Sequence, residues 1–336
     1  MRLIEAVFCA DKRDKVEKAL EECEPDHFRF SATEEDDMMV LRAFFTENGA
    51  QGLVDSLQDI CENDDDWRII VLPVEATAPK PDAGEETGEK KGRKKSALRE
   101  EIYSDVAKGA ELSLDFFVLT FASAIVAALG LNADNIAAVI GAMVIAPLLG
   151  PILAISLGAA LGDTKMLIRA GRNALAGLAL GFATAAVIGA LFGVNLESNE
   201  LTSRTVAGID SVVLALAAGV AAALSIVAGI SSALVGVMVA VALLPPAAAA
   251  GLFLGAGEIS FFSRSVLLLT VNVVCIMIAA QGVYFYKGVR PRTWFEQKSA
   301  DRALKINLAA LAVLLLVLIA IIVFAPVGTL PDSQSG

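Results

Sequence analysis

The chain has 336 residues, 56% of them hydrophobic, and a formal net charge of −11. So acidic a balance argues against nucleic acid as a partner. Cys9, Cys23, Cys61 and Cys275 form no CxxC pair and no metal-ligand spacing, and His27 is the single histidine. A hydrolase triad and a His-ligated metal site are therefore not expected, and neither is a cofactor or an enzymatic activity.

Residues 2–8, RLIEAVF, read as a strand, and DKRDKVEKALEE reads as a helix with Val16 and Leu20 on one face. DHFRFSA and DMMVLRAFF read as two further strands, joined by an acidic turn at Glu34 to Asp37. GAQGLVDSLQDIC sets Leu53, Leu57 and Ile60 at helical spacing, and WRIIVLPVEA reads as a last strand. Residues 1–75 are thus expected to form an α+β ferredoxin-like domain with the order βαββαβ. That fold serves ligand binding, dimerisation and plain assembly alike, so it assigns no activity. The first residues hold too short an apolar stretch for a signal peptide, which predicts a cytoplasmic domain. Acidic clusters such as ENDDDW lack the glycine and closing glutamate of a calcium loop and read as solvated turns.

Residues 76–95, ATAPKPDAGEETGEKKGRKK, form a charged linker with nothing apolar to pack. Its basic end would meet anionic headgroups. Residues 96–111 read as an amphipathic elbow helix, with Leu98, Ile102 and Val106 toward the lipid and Tyr103 near the interface. Beyond it the apolarity is concentrated, as in an integral membrane protein. About seven spans are expected, near 112–131, 135–161, 173–194, 209–229, 230–256, 265–286 and 303–325, the second and fifth broken by proline. Lys165, Arg169 and Arg172 follow span two, and six Lys/Arg between Lys287 and Lys305 follow span six. The positive-inside rule then puts the N-terminus in the cytoplasm and the C-terminus outside, in a multi-pass cytoplasmic-membrane protein. Arg264 is an exception to the pattern.

The stretch 114–130 matches 209–225 at a constant offset of 95 residues, the difference between Asp210 and Asp115. At that offset Met143 meets Met238, Pro151 meets Pro246, Gly162 meets Gly257, Asp163 meets Glu258 and Arg169 meets Arg264. We read an internal duplication, with repeat 1 at 112–200, repeat 2 at 201–288, and a C-terminal membrane helix and tail at 289–336. Three spans per copy is an odd number, so the second copy enters the membrane from the other side, giving a 3+3 inverted repeat. Paired Gly/Pro-broken segments in such halves point to a solute site near the bilayer midplane. Here they are Pro147, Gly150 and Pro151 in one copy and Pro245 and Pro246 in the other, with Ser156 nearby. Small residues in the same stretch also serve close helix packing.

Asp115 and Asp210 sit near the starts of spans one and four, as candidates for a solute path or as helix caps. Asn173 and Asn272, inside spans three and six, and the deeper Gln281 could bond between helices or line a path. No strong charge falls mid-membrane. That favours a small neutral solute, or an ion held by backbone dipoles.

The stretch VIGAMVIAPLLGPILAISLGAALGD (139–163) resembles a prokaryotic membrane-protein family known as domain of unknown function three-eight-nine, the uncharacterised hydrophobic-domain family. The resemblance covers the membrane region to about residue 257 and rests on the APLLGP core and a soluble domain ahead of it. It implies the architecture and no activity. The second copy departs from it, with ALLPP at 242–246. The expectation is a transporter or channel for a small solute or ion, homo-oligomeric in the bilayer, with a regulatory or oligomerisation domain in the cytoplasm. The alternative is a non-transporting sensor or scaffold whose soluble domain binds a metabolite or a protein.

Overall fold

The computed structural model describes residues 1–32, 37–46, 49–62, 64, 66–74, 102–104, 106–107, 111–228, 232–289 and 294–324. The expected linker, most of the acidic turn, and Leu98 lie outside the described residues. The chain divides into two compact units, Met1–Glu101 and Ile102–Gly336.

In the first unit the strands β1 (Arg2–Cys9), β2 (His27–Ala32), β3 (Met38–Phe45) and β4 (Arg68–Pro73) alternate with α1 (Arg13–Cys23) and α2 (Ala50–Cys61). The sheet runs in the order β2-β3-β1-β4, and every neighbouring pair is antiparallel. Alternation along β1 turns Ile4, Ala6 and Phe8 into one core. Val16 and Leu20 of α1 and Leu53, Val54 and Leu57 of α2 complete it, and Ile60 packs at its edge. The helical and strand periods read from the sequence therefore meet in a single cluster.

The second unit is helical: α3 (Leu114–Asn132), α4 (Ile136–Ile145), α5 (Leu149–Leu161), α6 (Thr164–Phe192), α7 (Ile209–Val227), α8 (Ser232–Gly255), α9 (Ile259–Tyr286) and α10 (Trp294–Phe324). Among the described residues five helices are long and apolar enough to cross a membrane, and the bent pair α4–α5 makes a sixth if counted as one span. Residues 242–255 of α8 form a shorter apolar helix. The protein is thus a multi-pass membrane protein. α5 is buried on nearly every side, as is the stretch 242–253 of α8, while α3, α7 and α10 leave large apolar side chains exposed. A helix that is apolar all round and buried lies inside its bundle, so α5 and residues 242–253 of α8 are central, while α3, α7 and α10 carry exposed apolar faces.

Two expectations change. Ile102 and Val106 are 2% and 3% exposed, so they pack inside the protein and do not face lipid. Span three begins nine residues before the expected start at 173: α6 starts at Thr164, where Asp163 Oδ1 accepts from the Met166 N–H at 2.9 Å. This N-cap lets the helix run on through Lys165, Arg169 and Arg172, which lie exposed along its first turns.

Candidate functional site

α4 stops at Ile145 and α5 starts at Leu149, with a 52° bend between them. The cause is local. Pro147 has no N–H, so the carbonyl of Met143 loses its partner one turn back. The proline ring also pushes the preceding residue out of the helical region, and Ala146 sits at φ −68, ψ 118. The last carbonyls of α4 find partial compensation. Ala142 O accepts from the Ala146 N–H at 3.2 Å and from Ser123 Oγ of α3 at 2.6 Å. On the far side of the bend the N-cap of α5 is Leu148, which makes no side-chain cap. Leu148 and Leu149 are 3% and 8% exposed, and Pro151 is buried. The first N–H groups of a helix lack intrahelical partners and carry its positive dipole end, so that end lies inside the core of the unit.

The second expected break is not a break. Pro245 and Pro246 lie inside the continuous helix α8. Ala242, 95 residues after Pro147, keeps the N–H that Pro147 lacks. Pro246 still deprives the Ala242 carbonyl of its i+4 donor. Asn272 of α9 replaces it, donating from Nδ2 to Ala242 O at 2.8 Å. Gly177 is the residue 95 positions before Asn272, and a Cβ there would meet Phe116 at 2.8 Å and Leu148 at 3.1 Å. A glycine thus stands beside the bend, while 95 residues further on an amide occupies a freed carbonyl.

The remaining site candidates fall in different places. α8 packs on α4 and α5, which brings the helix of Pro245 and Pro246 against the bend carrying Pro147, Gly150 and Pro151. Ser156 is fully buried on α5 and donates to its own Ile152 O at 3.2 Å. Asn173 is buried on α6. Asp115 and Asp210 are exposed in the first turns of α3 and α7, where a carboxylate meets the positive helix end. The structure does not bring these two acids into the core. Among the described residues no group of three or more His, Cys, Asp or Glu could hold a metal ion.

Other features of the unit went unread in the sequence. α6 and α8 cross backbone to backbone: a Cβ on Gly251 would strike Phe182 O, one on Gly255 would strike Ala186 O, and one on Gly189 would strike Leu252 O. The Gly251/Gly255 spacing was the legible signal. On the loop side, Asp134 at φ 53 accepts from the Glu200 N–H at 2.8 Å and from Ser198 Oγ at 3.2 Å. The Glu200 N–H holds its carboxyl below the usual range. At the elbow, Tyr103 donates to Asp163 Oδ2 at 3.2 Å. Burial, helped by the negative Asp163, raises the Tyr103 phenol.

A bent, uncapped helix at the centre of a lipid-facing helical bundle defines the class: a multi-pass membrane protein with a discontinuous core helix. The model for the family "Domain of unknown function (DUF389)" matches residues 143–278, a range that contains the bend and both proline segments. An uncharacterized protein of Methanocaldococcus jannaschii is 32% identical over 257 residues, which cover 76% of this chain and 79% of that relative. The chain belongs to the DUF389 family. No solved structure matches it.

Proposed function

We propose that the protein is a transporter or channel for a small solute or ion, whose path passes the bend at Pro147–Pro151. One observation carries the reading: the start of α5 is buried, bent and uncapped in the core of a membrane unit. Backbone polar groups freed in lipid cost several kcal/mol each unless protein or a wet cavity meets them, so broken helices persist where a path uses them.

The same reading takes the membrane unit as seven spans in a 3+3 inverted repeat. Its support is that α3 and α7 start and end 95 residues apart, as α6 and α9 start. Gly162 and Gly257 close α5 and α8 with φ 70 and 82, and Gly193 and Gly288 close α6 and α9 with φ 70 each. The packing pairs also exchange: α3 with α6 as α7 with α9, α5 with α6 as α8 with α9, and α6 with α8 as α9 with α5. The strand order β2-β3-β1-β4 supports a ferredoxin-like sandwich for the first unit, acting as a cytoplasmic regulator or oligomerisation module of a homo-oligomer. The exposed Lys165, Arg169 and Arg172 support a cytoplasmic N-terminus in the cytoplasmic membrane, with the C-terminus outside. No enzymatic role is proposed.

Reconstituted protein is assayed for flux of monovalent cations, anions and neutral solutes, by stopped-flow light scattering and a potential-sensitive dye. Flux in the wild type that Gly150→Leu and Pro151→Leu abolish supports the reading. Asn272 favours the rival, a non-transporting sensor or scaffold, because it leaves the second proline segment with its Ala242 carbonyl already bonded. Absence of flux across the whole panel, with the first unit present or removed, would establish that rival.

A further inference from the structure

The two copies differ most tellingly at one seam. Where α6 crosses α8, the contact residues are Ala186, Gly189 and Gly251, small enough for the backbones to touch. The positions 95 residues away are Gln281 and Tyr284 on α9 and Ser156 on α5, two helices that pack together. All three are buried, at 1%, 0% and 0% exposure. Small apolar residues in one copy are thus replaced by polar, hydrogen-bonding ones in the other, at a place with no access to bulk water.

Two polar atoms there stand out. Gln281 Nε2 and Tyr284 Oη are buried and have no hydrogen-bond partner among the described residues. Gln281 Oε1 is occupied, accepting from Asn307 Nδ2 of α10 at 3.2 Å. Reversing the amide would leave its oxygen in place of its nitrogen unbonded, so the seam keeps an unmet polar atom in either orientation. Gln281 and Tyr284 are three residues apart on a helix and share one face. α10, the helix outside the duplication, packs on both α5 and α9 and so closes this seam. Buried polar groups without partners are rare and costly, and each calls for an occupant.

We propose that Gln281, Tyr284 and Asn307, at the seam of α5, α9 and α10, bind a small uncharged solute that accepts hydrogen bonds. The uncharged class follows from the surroundings. The buried polar side chains of the described spans are serine, threonine, asparagine, glutamine and tyrosine, and none carries a charge. An ion would be left unpaired in low dielectric. Gln281 and Tyr284 lie within the last two turns of α9, ahead of Lys287. Neither residue belongs to the bend between α4 and α5. The proposal deepens the transport reading by naming a solute class, and rests on it only for flux.

Binding is tested without flux by thiol labelling of the full chain in proteoliposomes. Gln281→Cys is treated with neutral methyl methanethiosulfonate and with its cationic and anionic analogues, and labelled peptides are identified by mass. Cys275, on the same helix and fully buried among apolar residues, is the internal control. Gln281→Cys is expected to react about tenfold or more faster than Cys275 with the neutral reagent. Acetamide should slow that reaction, and the charged reagents should lag. Labelling as slow as that of Cys275, or equal rates for charged and neutral reagents, overturns the proposal. Should Gln281→Cys not fold, Asn307→Cys serves in the same way. In the flux arm Tyr284→Phe is expected to lower acetamide permeation about tenfold, the worth of one buried hydrogen bond. Unchanged permeation with a raised melting temperature would mark the hydroxyl as an idle group and refute its role. If the wild type passes no solute, transport fails, while labelling still decides the site.

Discussion

The bond from Asn272 to Ala242 offers a sharp test of how this bundle tolerates proline inside α8. Asn272 is 6% exposed and donates at 2.8 Å to a carbonyl that Pro246 has stripped of its helical partner. Asn272→Ala leaves that carbonyl unmet in a buried position, at a cost of about 1–3 kcal/mol on general grounds. Interhelical hydrogen bonds within membranes sit lower, at about 0.6–2 kcal/mol, so a loss of about 1.5 kcal/mol is expected. Pro246→Ala restores an N–H that can reach Ala242 O by the ordinary i→i−4 bond. In that background Asn272→Ala should cost under about 0.5 kcal/mol, leaving a coupling of about 1 kcal/mol between the two sites. The four proteins are unfolded reversibly in mixed micelles and their midpoints compared. Equal cost of Asn272→Ala in both backgrounds would refute the compensation.

Three further outcomes are expected. Because the Asp134 carboxyl is held below its usual range in the folded protein, its contribution to stability is full above the unfolded carboxylate value near 4 and is lost as pH falls through the folded value; a melting-temperature profile across acid pH should flatten in Asp134→Asn. Gly255→Leu puts a side chain where Ala186 O already lies, so it should destabilise the membrane unit by about 2–4 kcal/mol in micelle unfolding, against under about 1 kcal/mol for Gly282→Leu, where a Cβ meets nothing within 4 Å. Asp163→Ala removes the cap of α6 and the acceptor of Tyr103, and should lower stability by about 1 kcal/mol, with Asp163→Asn recovering most of it, as read from the same unfolding curves.

Much of the membrane unit was legible because lipid leaves the backbone few choices: an apolar run of about 20 residues must close its own hydrogen bonds, so composition alone located most helices. The constant 95-residue offset was legible too, since matched Asp, Met, Pro and Arg do not depend on packing. Caps were harder. Asp163 was read as one half of a matched acidic pair, and its role as the start of α6 appeared only when the Met166 N–H was seen to bond it. The elbow was misread because amphipathic spacing shows which residues share a face and not whether lipid or protein covers it; Ile102 and Val106 are covered by protein.

The sequence by itself determined the membrane class, the strand and helix order and the position of the bend, each a consequence of local backbone chemistry or periodicity. Tertiary structure alone decided what the prolines do. Pro147 ends its helix and Pro246 does not, and an amide from α9 reaches the carbonyl of Ala242 that Pro246 frees. It alone also separated Asp115 and Asp210, left at exposed helix ends, from Gln281 and Tyr284, which no motif marked. A polar residue in an apolar run looks the same in sequence whether it meets water, a carbonyl or nothing, and only the neighbours brought by packing tell these apart.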